Sequence, residues 1–323
     1  MSWFRALSFG IKGYCDFTRP AFIKAQKTFK PLQDDLTGKV VVITGGNSGI
    51  GFEAAIKLAK MGAEVHIACR SPERGQKALD EIISRAQVSA DNVKLHILDV
   101  SKSDTVHTFV NDFTEHLGGR KLYALVNNAG CMVDRAENLF GYEINFATNT
   151  LGMYILTKGF IETQALAEGS RVVTVTSGGM YSQALELEDM QWKKSGFDAT
   201  KAYAKHKRQQ VVITDVWAKK HPSIQFLTTH PGWADTPALR GAMPDFHEKM
   251  KDKLRTAEEG ADCIVHGVAS KPEDLGPNGS FYTDRKAASK HLTLAFTQES
   301  SADASRLEEL LDEMYERTKK SPS

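Results

Sequence analysis

A chain of 323 residues with 41 basic and 40 acidic side chains carries a formal charge of +1, which gives it no electrostatic grip on nucleic acid. It is long enough to bury its own core without disulfides. Its four cysteines (Cys15, Cys69, Cys131, Cys263) lack metal-ligand spacing, so no metal site and a reducing compartment are expected.

The first 36 residues form a separate arm. Trp3, Phe4, Leu7, Phe9, Ile11, Tyr14, Phe17, Phe22, Ile23 and Phe29 alternate with Arg5, Lys12, Arg19, Lys24, Lys27 and Lys30. No uncharged run approaches the roughly 20 residues of a spanning helix, and no secretory h-region appears. The protein is therefore expected on the cytoplasmic side, not secreted. The arm either lies on a membrane surface or packs on the protein itself; a cleaved presequence is a third reading.

Residues 37–285 read as one α/β domain. Val40–Ile43 is a β-branched run too apolar on both faces for an edge strand. It ends in Gly45-Gly46-Asn47-Ser48-Gly49-Ile50-Gly51, and a helical pattern follows (Phe52, Ala55, Ile56, Ala59). Strand, glycine turn, helix is the layout that offers unpaired N–H groups and a positive dipole end to a phosphate. Gly45 would allow the tight turn, Gly49 the approach of a pyrophosphate, and Gly51 the packing of helix on strand.

Further strands are expected at Glu64–Cys69, Val93–Leu98, Tyr123–Val126, Arg171–Thr176, Ile224–Thr229 and Gly279–Tyr282. Helices are expected at Pro72–Arg85, Ser103–Leu117, Leu139–Phe160, Ala199–Lys219 and Thr256–Val268. The alternation predicts a doubly wound Rossmann-type parallel sheet covered on both faces. Residues 286–323 form a C-terminal extension, in which Leu307, Leu310, Leu311 and Met314 mark an amphipathic helix capped by Ser301 or Ser305.

About 20 residues past the glycine turn, where dinucleotide folds read the adenosine ribose, the chain has Cys69-Arg70-Ser71. Arg70, with Arg74 as a second charge, suits a 2′-phosphate and so favours NADP(H) over NAD(H); an exposed arginine at a strand end is the plain alternative. Asp99 would meet the adenine amino group, or simply begin a helix.

A tyrosine with a lysine four residues later presents both on one helix face, and the ammonium lowers the phenol's pKa. Four tyrosines have such a lysine: Tyr154, Tyr203, Tyr282 and Tyr315. Only Tyr203 with Lys207 follows a strand whose C-terminal end presents a serine, Ser177, on the side where parallel sheets bind ligands. His206 and the neighbouring Lys205, Lys207 and Arg208 read as a solvated helix face rather than a nucleic-acid patch, with Lys207 alone turned inward.

With these pieces quoted, residues 37–285 resemble the short-chain dehydrogenase/reductase family. The matching blocks are Thr44–Gly51, Asn127-Asn128-Ala129-Gly130, Asn149, Ser177, Tyr203 with Lys207, and His230-Pro231-Gly232. The resemblance implies an oxidoreductase moving hydride between nicotinamide and a carbonyl or alcohol. Tyr203 would be acid or base, Lys207 would lower its pKa and hold the nicotinamide ribose, and Ser177 would stabilise the substrate oxygen. Asn149 would hold a water, and Asn127 would steady the central strand and line the adenine side. Pro231, Gly232 and Thr236 would shape the nicotinamide pocket.

Two features depart from the family pattern. Ser177 precedes Tyr203 by 26 residues, and the inserted Gly178–Thr200 would wall the pocket through Met180, Tyr181, Leu185 and Trp192 or pack as a surface loop. Ser48 stands where NADP-dependent members often carry a basic residue, which leaves NAD(H) open. Residues 233–254 would form a lid whose Trp233, Pro237, Leu239, Met243, Phe246 and Met250 suit an apolar substrate. The alternative to an enzyme is a non-catalytic NADP(H)-binding sensor or interaction protein.

Overall fold

A computed structural model describes residues 2–139 and 141–320; the side chains of Trp3 and Phe4 lie outside the described set. Its centre is a sheet of eight strands: β1 (Val40–Thr44), β2 (Glu64–Cys69), β3 (Val93–Ile97), β4 (Leu122–Asn127), β5 (Arg171–Val175), β6 (Gln225–His230), β7 (Phe281–Thr283) and β8 (Lys286–Ala288). They lie in the order β8-β7-β6-β5-β4-β1-β2-β3. All neighbours are parallel except β8, which turns back antiparallel on β7. The expected doubly wound Rossmann-type fold is present, and its sheet runs past residue 285 because of that last hairpin.

The helices are α1 (Ser2–Asp16), α2 (Arg19–Gln26), α3 (Gly49–Lys60), α4 (Pro72–Ala86), α5 (Ser103–Leu117), α6 (Gly152–Glu162), α7 (Ala199–Lys220), α8 (Pro237–Ala242), α9 (Pro244–Met250), α10 (Ala257–Ala269) and α11 (Ser301–Lys320). On one face of the sheet α3, α4 and α10 bury Ile56, Leu58, Ile82, Ile264 and Val268. On the other, α5, α6, α7 and α11 bury Phe113, Tyr154, Phe160, Trp217 and Leu311. Every residue of β1 is buried, as its continuous apolar run requires. Each of those side chains is worth about 1.5–3 kcal/mol in removal from water.

Three local expectations are corrected. The helix expected from Leu139 begins only at Ile144, because Asn138–Leu139 and Tyr142–Glu143 pair as a small hairpin. Between that start and α6 the chain takes a wide π turn over Ala147–Leu151, a form frequent at functional sites. Ser300, rather than Ser301 or Ser305, caps α11, its Oγ accepting from the Asp303 N–H at 3.0 Å. Finally, α7 is no solvated face beyond Lys205: His206 and Arg208 are fully buried. Arg208 donates to the carbonyls of Gln183 (3.1 Å), Lys290 (2.9 Å) and Met180 (2.8 Å), which ties the inserted loop to the segment after β8.

The N-terminal arm packs on the domain. Phe17 is wholly buried and Phe22 nearly so. Arg19 pairs with Glu259 at 2.8 Å and Lys30 with Asp274 at 2.7 Å. Among the described residues no helix is long and apolar enough to cross a membrane.

Candidate active site

One cleft of about 570 Å³ opens at the C-terminal ends of the strands. Its floor is the turn after β1. Gly45 has φ +68° and Gly49 has φ +59°, left-handed values that glycine adopts without strain. Ser48 precedes α3 without capping it by its side chain, so the first-turn N–H groups stay available for an anion. A Cβ on Gly51 would come within 2.6 Å of the Gly45 carbonyl oxygen, so close packing of the turn excludes any side chain there. Gly45, Asn47, Ser48, Gly49 and Ile50 line the cleft, while Gly51 lies behind them. A diphosphate therefore fits this turn, with the three N–H groups of Gly49, Ile50 and Gly51 to hold it.

Further along the cleft, Arg70, Ser71, Arg74 and Asp99 stand together. Among the described residues neither guanidinium has an ion-pair partner. Asp99 spends Oδ1 on the Ser101 N–H (3.0 Å) and hydroxyl (2.7 Å), which makes it a turn residue and leaves its other oxygen open. Asn127 does not line the cleft. Its amide donates to Thr157 at 2.9 Å inside the fold and so steadies β4 against α6. The expected lining place belongs to Asn128, whose Nδ2 donates to the carbonyls of Thr44 (2.9 Å) and Gly45 (3.2 Å) and holds the glycine turn shut. A second adjacent asparagine in the same block was the signal for it.

At the other end Ser177, Tyr203, Lys207, Pro231, Gly232 and Thr236 face the same space. Ser177 leaves β5 and its Oγ accepts from the Gly179 N–H at 3.2 Å, fixing the rotamer. Burial pushes the Tyr203 phenol up to about 12, and a hydrogen bond with Ser177 pulls the other way. Lys207 donates to the Val175 carbonyl at 2.8 Å, and its Nζ lies 5.3 Å from the Tyr203 ring centre. Burial holds that ammonium down to about 7. Asn149 lies behind the cleft wall in the π turn. Its side chain clasps the Cys131 backbone, accepting from N at 2.9 Å and donating to O at 2.7 Å. Its own carbonyl accepts from Gln210 at 2.6 Å, and the whole residue is buried.

The lid supplies Trp233, Pro237, Leu239, Met243 and Phe246 to the cleft, while Met250 is buried beneath it. The insertion does not wall the pocket through large side chains: Met180 and Tyr181 are buried with Phe17 and Phe281, and only Gly179, Ser182 and Thr200 reach the lining. The wall comes instead from the arm, through Phe9. Among the described residues one group has metal-type side chains close together: Glu64, His66 and His116. None of the three lines the cleft, and Glu64 already pairs with Arg120 at 2.6 Å.

Comparison with known proteins agrees with this geometry. Residues 39–187 match the family model described as short chain dehydrogenase. The chain is 43% identical over 317 residues to Dehydrogenase/reductase SDR family member 12 of Homo sapiens, covering 97% of this chain and 98% of that one. The chain belongs to the short-chain dehydrogenase/reductase family. As a dehydrogenase/reductase it is an NAD(P)-dependent oxidoreductase acting on small-molecule alcohols or carbonyls. It is also 32% identical over 257 residues to Retinol dehydrogenase 12 of Homo sapiens, covering 78% of this chain and 79% of that one. Among solved structures, an uncharacterised protein from Mycobacterium paratuberculosis superposes with a TM-score of 0.67 at 25% identity, covering 87% of this chain and 95% of the other.

Proposed function

We propose that this dehydrogenase/reductase is NADP(H)-dependent and acts on an apolar carbonyl or alcohol. The observation that carries the reading is convergence: Ser177, Tyr203 and Lys207 share one cleft with an uncapped helix start and two guanidinium groups that have no ion-pair partner among the described residues. When bound, the nicotinamide supplies or accepts hydride. In reduction Tyr203 gives its phenolic proton to the substrate oxygen, and in oxidation it takes that proton back. Ser177 Oγ–H donates to the same oxygen as negative charge gathers there. Lys207, as ammonium, offsets the burial that raises the phenol, and Asn149 holds the loop of Cys131 against it. Pro231, Gly232 and Thr236 shape the nicotinamide end.

Purified protein with NADPH and a panel of aldehydes and ketones tests the reading directly. Sustained NADPH oxidation supports it, and a complete lack of turnover would return the sensor alternative. For cofactor choice, Arg70→Asp should weaken NADPH binding about 10- to 100-fold, the worth of one charge-assisted hydrogen bond, and leave NADH nearly unchanged. Titration of both nucleotides by calorimetry reads this. Unaltered NADPH affinity would remove Arg70 as the phosphate reader.

The outer face of α1 bears Leu7 (51% exposed), Ile11 (60%) and Tyr14 (54%), a stripe that suits the surface of a cytoplasmic-facing membrane. Vesicles rich in anionic phospholipid should carry the wild-type protein on flotation and leave behind the Leu7→Asp, Ile11→Asp double variant. Equal flotation of the two would discard this contact.

A further inference from the structure

We infer that the N-terminal arm is a built part of the substrate site, and that Gly13 and Phe9 set the shape of its apolar end. This rests on the apolar-substrate reading above and adds the residues that choose among such substrates. The arm reaches the cleft by one route. From α1, Phe9 reaches the lining of the cleft that Trp233, Met243 and Phe246 also line, and it shares an apolar cluster with Trp233 and Phe17. One turn further on, Gly13 lies hard against the Trp233 indole: a Cβ there would come within 2.6 Å of Cη2. No real Cβ contact is that short, so helix and indole come this close only because residue 13 has no side chain. Trp233 in turn meets Phe246 of the lid edge-on, with ring centres 5.1 Å apart. Arm, Trp233 and lid therefore form one continuous stack.

The stack is anchored at both ends. Phe17 is wholly buried, its ring edge-on to His230 at 4.2 Å, and its carbonyl accepts from the Trp233 N–H at 2.8 Å. Arg255 is the clamp. Its guanidinium, nearly inaccessible, donates to the carbonyls of Asp16 (2.8 Å), Thr18 (3.4 Å) and Pro231 (3.4 Å) and pairs with Asp284 at 2.5 Å. One buried cation thus holds the arm against the loop that shapes the nicotinamide end. Arg5 closes the far end on the Ala295 carbonyl at 2.6 Å. An arm tied this way does not act as a swinging flap; it is a fixed wall. With Phe9 and Trp233 as flat aromatic surfaces, the apolar end accepts an extended, unbranched chain in preference to a compact branched one.

Two glycines in the same helix make the experiment discriminating. Gly10 faces open space and Gly13 faces the indole, yet either change to alanine raises helix propensity. Gly13→Ala should raise KM for decanal at least tenfold, with kcat and NADPH affinity within about twofold. Gly10→Ala should match wild type. Hydrogen–deuterium exchange of residues 233–254 should quicken in Gly13→Ala alone, a readout that needs no turnover. Phe9→Ala should erase the preference for decanal over pivaldehyde while leaving lid exchange slow. Unchanged lid exchange together with an unchanged KM for decanal in Gly13→Ala would overturn the inference. If wild type reduces no aldehyde, the substrate reading fails and lid exchange alone decides the arm's part.

Discussion

Replacing Tyr203 with phenylalanine is expected to lower turnover by about 10²- to 10⁴-fold, the range for loss of a positioned general acid, while NADPH affinity stays within about twofold. Of the two hydroxyls proposed to face the substrate oxygen, the phenol is the more acidic and so the one to give up its proton, while Ser177 only donates a hydrogen bond. Ser177 is held by the Gly179 N–H and Lys207 by the Val175 carbonyl. The ring itself remains in Tyr203→Phe, so packing and the cofactor's footing are kept. Single-turnover reduction followed at 340 nm, beside a nucleotide titration, separates the two effects. Equal losses in turnover and nucleotide binding would mean that the ring is structural, and the assignment of Tyr203 as the proton donor would fall.

Tyr203 lines the cleft together with Ser177 and Lys207, as its place in the element order led one to expect. Of four tyrosines followed by lysine, the other three are used in packing. Tyr154 and Lys158 both engage Asp312 on the tail helix. Tyr315 bonds Glu162 at 2.6 Å beside Lys319, and the Tyr282 hydroxyl accepts from the Gly276 N–H at 2.5 Å, pinning the turn there. Only position relative to a strand's C-terminal end separates Tyr203 from them, and the parallel sheet makes that position readable from element order. The strands themselves were legible because buried parallel strands are short, β-branched and bounded by helices.

What stayed hidden depends on contacts between distant segments. Arg255 satisfies carbonyls at positions 16, 18 and 231, a set with no local pattern. Arg208 and His206 lie in a basic stretch that looks solvated, yet the inserted loop folds over them and offers its carbonyls. The reach of Phe9 into the cleft follows from where an arm of mixed aromatic and basic residues comes to rest, and composition leaves that open. Asn127 is the last residue of its strand and Asn128 the first of the turn after it, so one faces the fold and the other the glycine turn. A motif names both and distinguishes neither.

Lys207→Met should abolish turnover and at the same time make the cofactor-free protein more stable. Lys207 is almost completely buried, and burial alone draws its pKa down to about 7. An unfolded lysine keeps its ordinary value near 10.4. Between these two values the unfolded chain binds more protons than the folded one, so stability rises with pH across that window and the cost is greatest below it. Each tenfold displacement is about 1.4 kcal/mol, which makes the cost near pH 7 about 4 kcal/mol. Losing the hydrogen bond to Val175 removes about 1 kcal/mol of the gain. The net of about 3 kcal/mol corresponds to a rise of roughly 4 °C in Tm for a chain of this length. Calorimetric scans at pH 7 and pH 9.5 carry the sign. Wild type should gain on Lys207→Met as pH rises, because its lysine sheds the proton whose burial is costly, and the gap should narrow by more than half. A variant less stable at both values would show that the ammonium is matched by partners in the folded cleft. The lysine would then be a structural pin rather than a charge kept, against the fold's own interest, for chemistry.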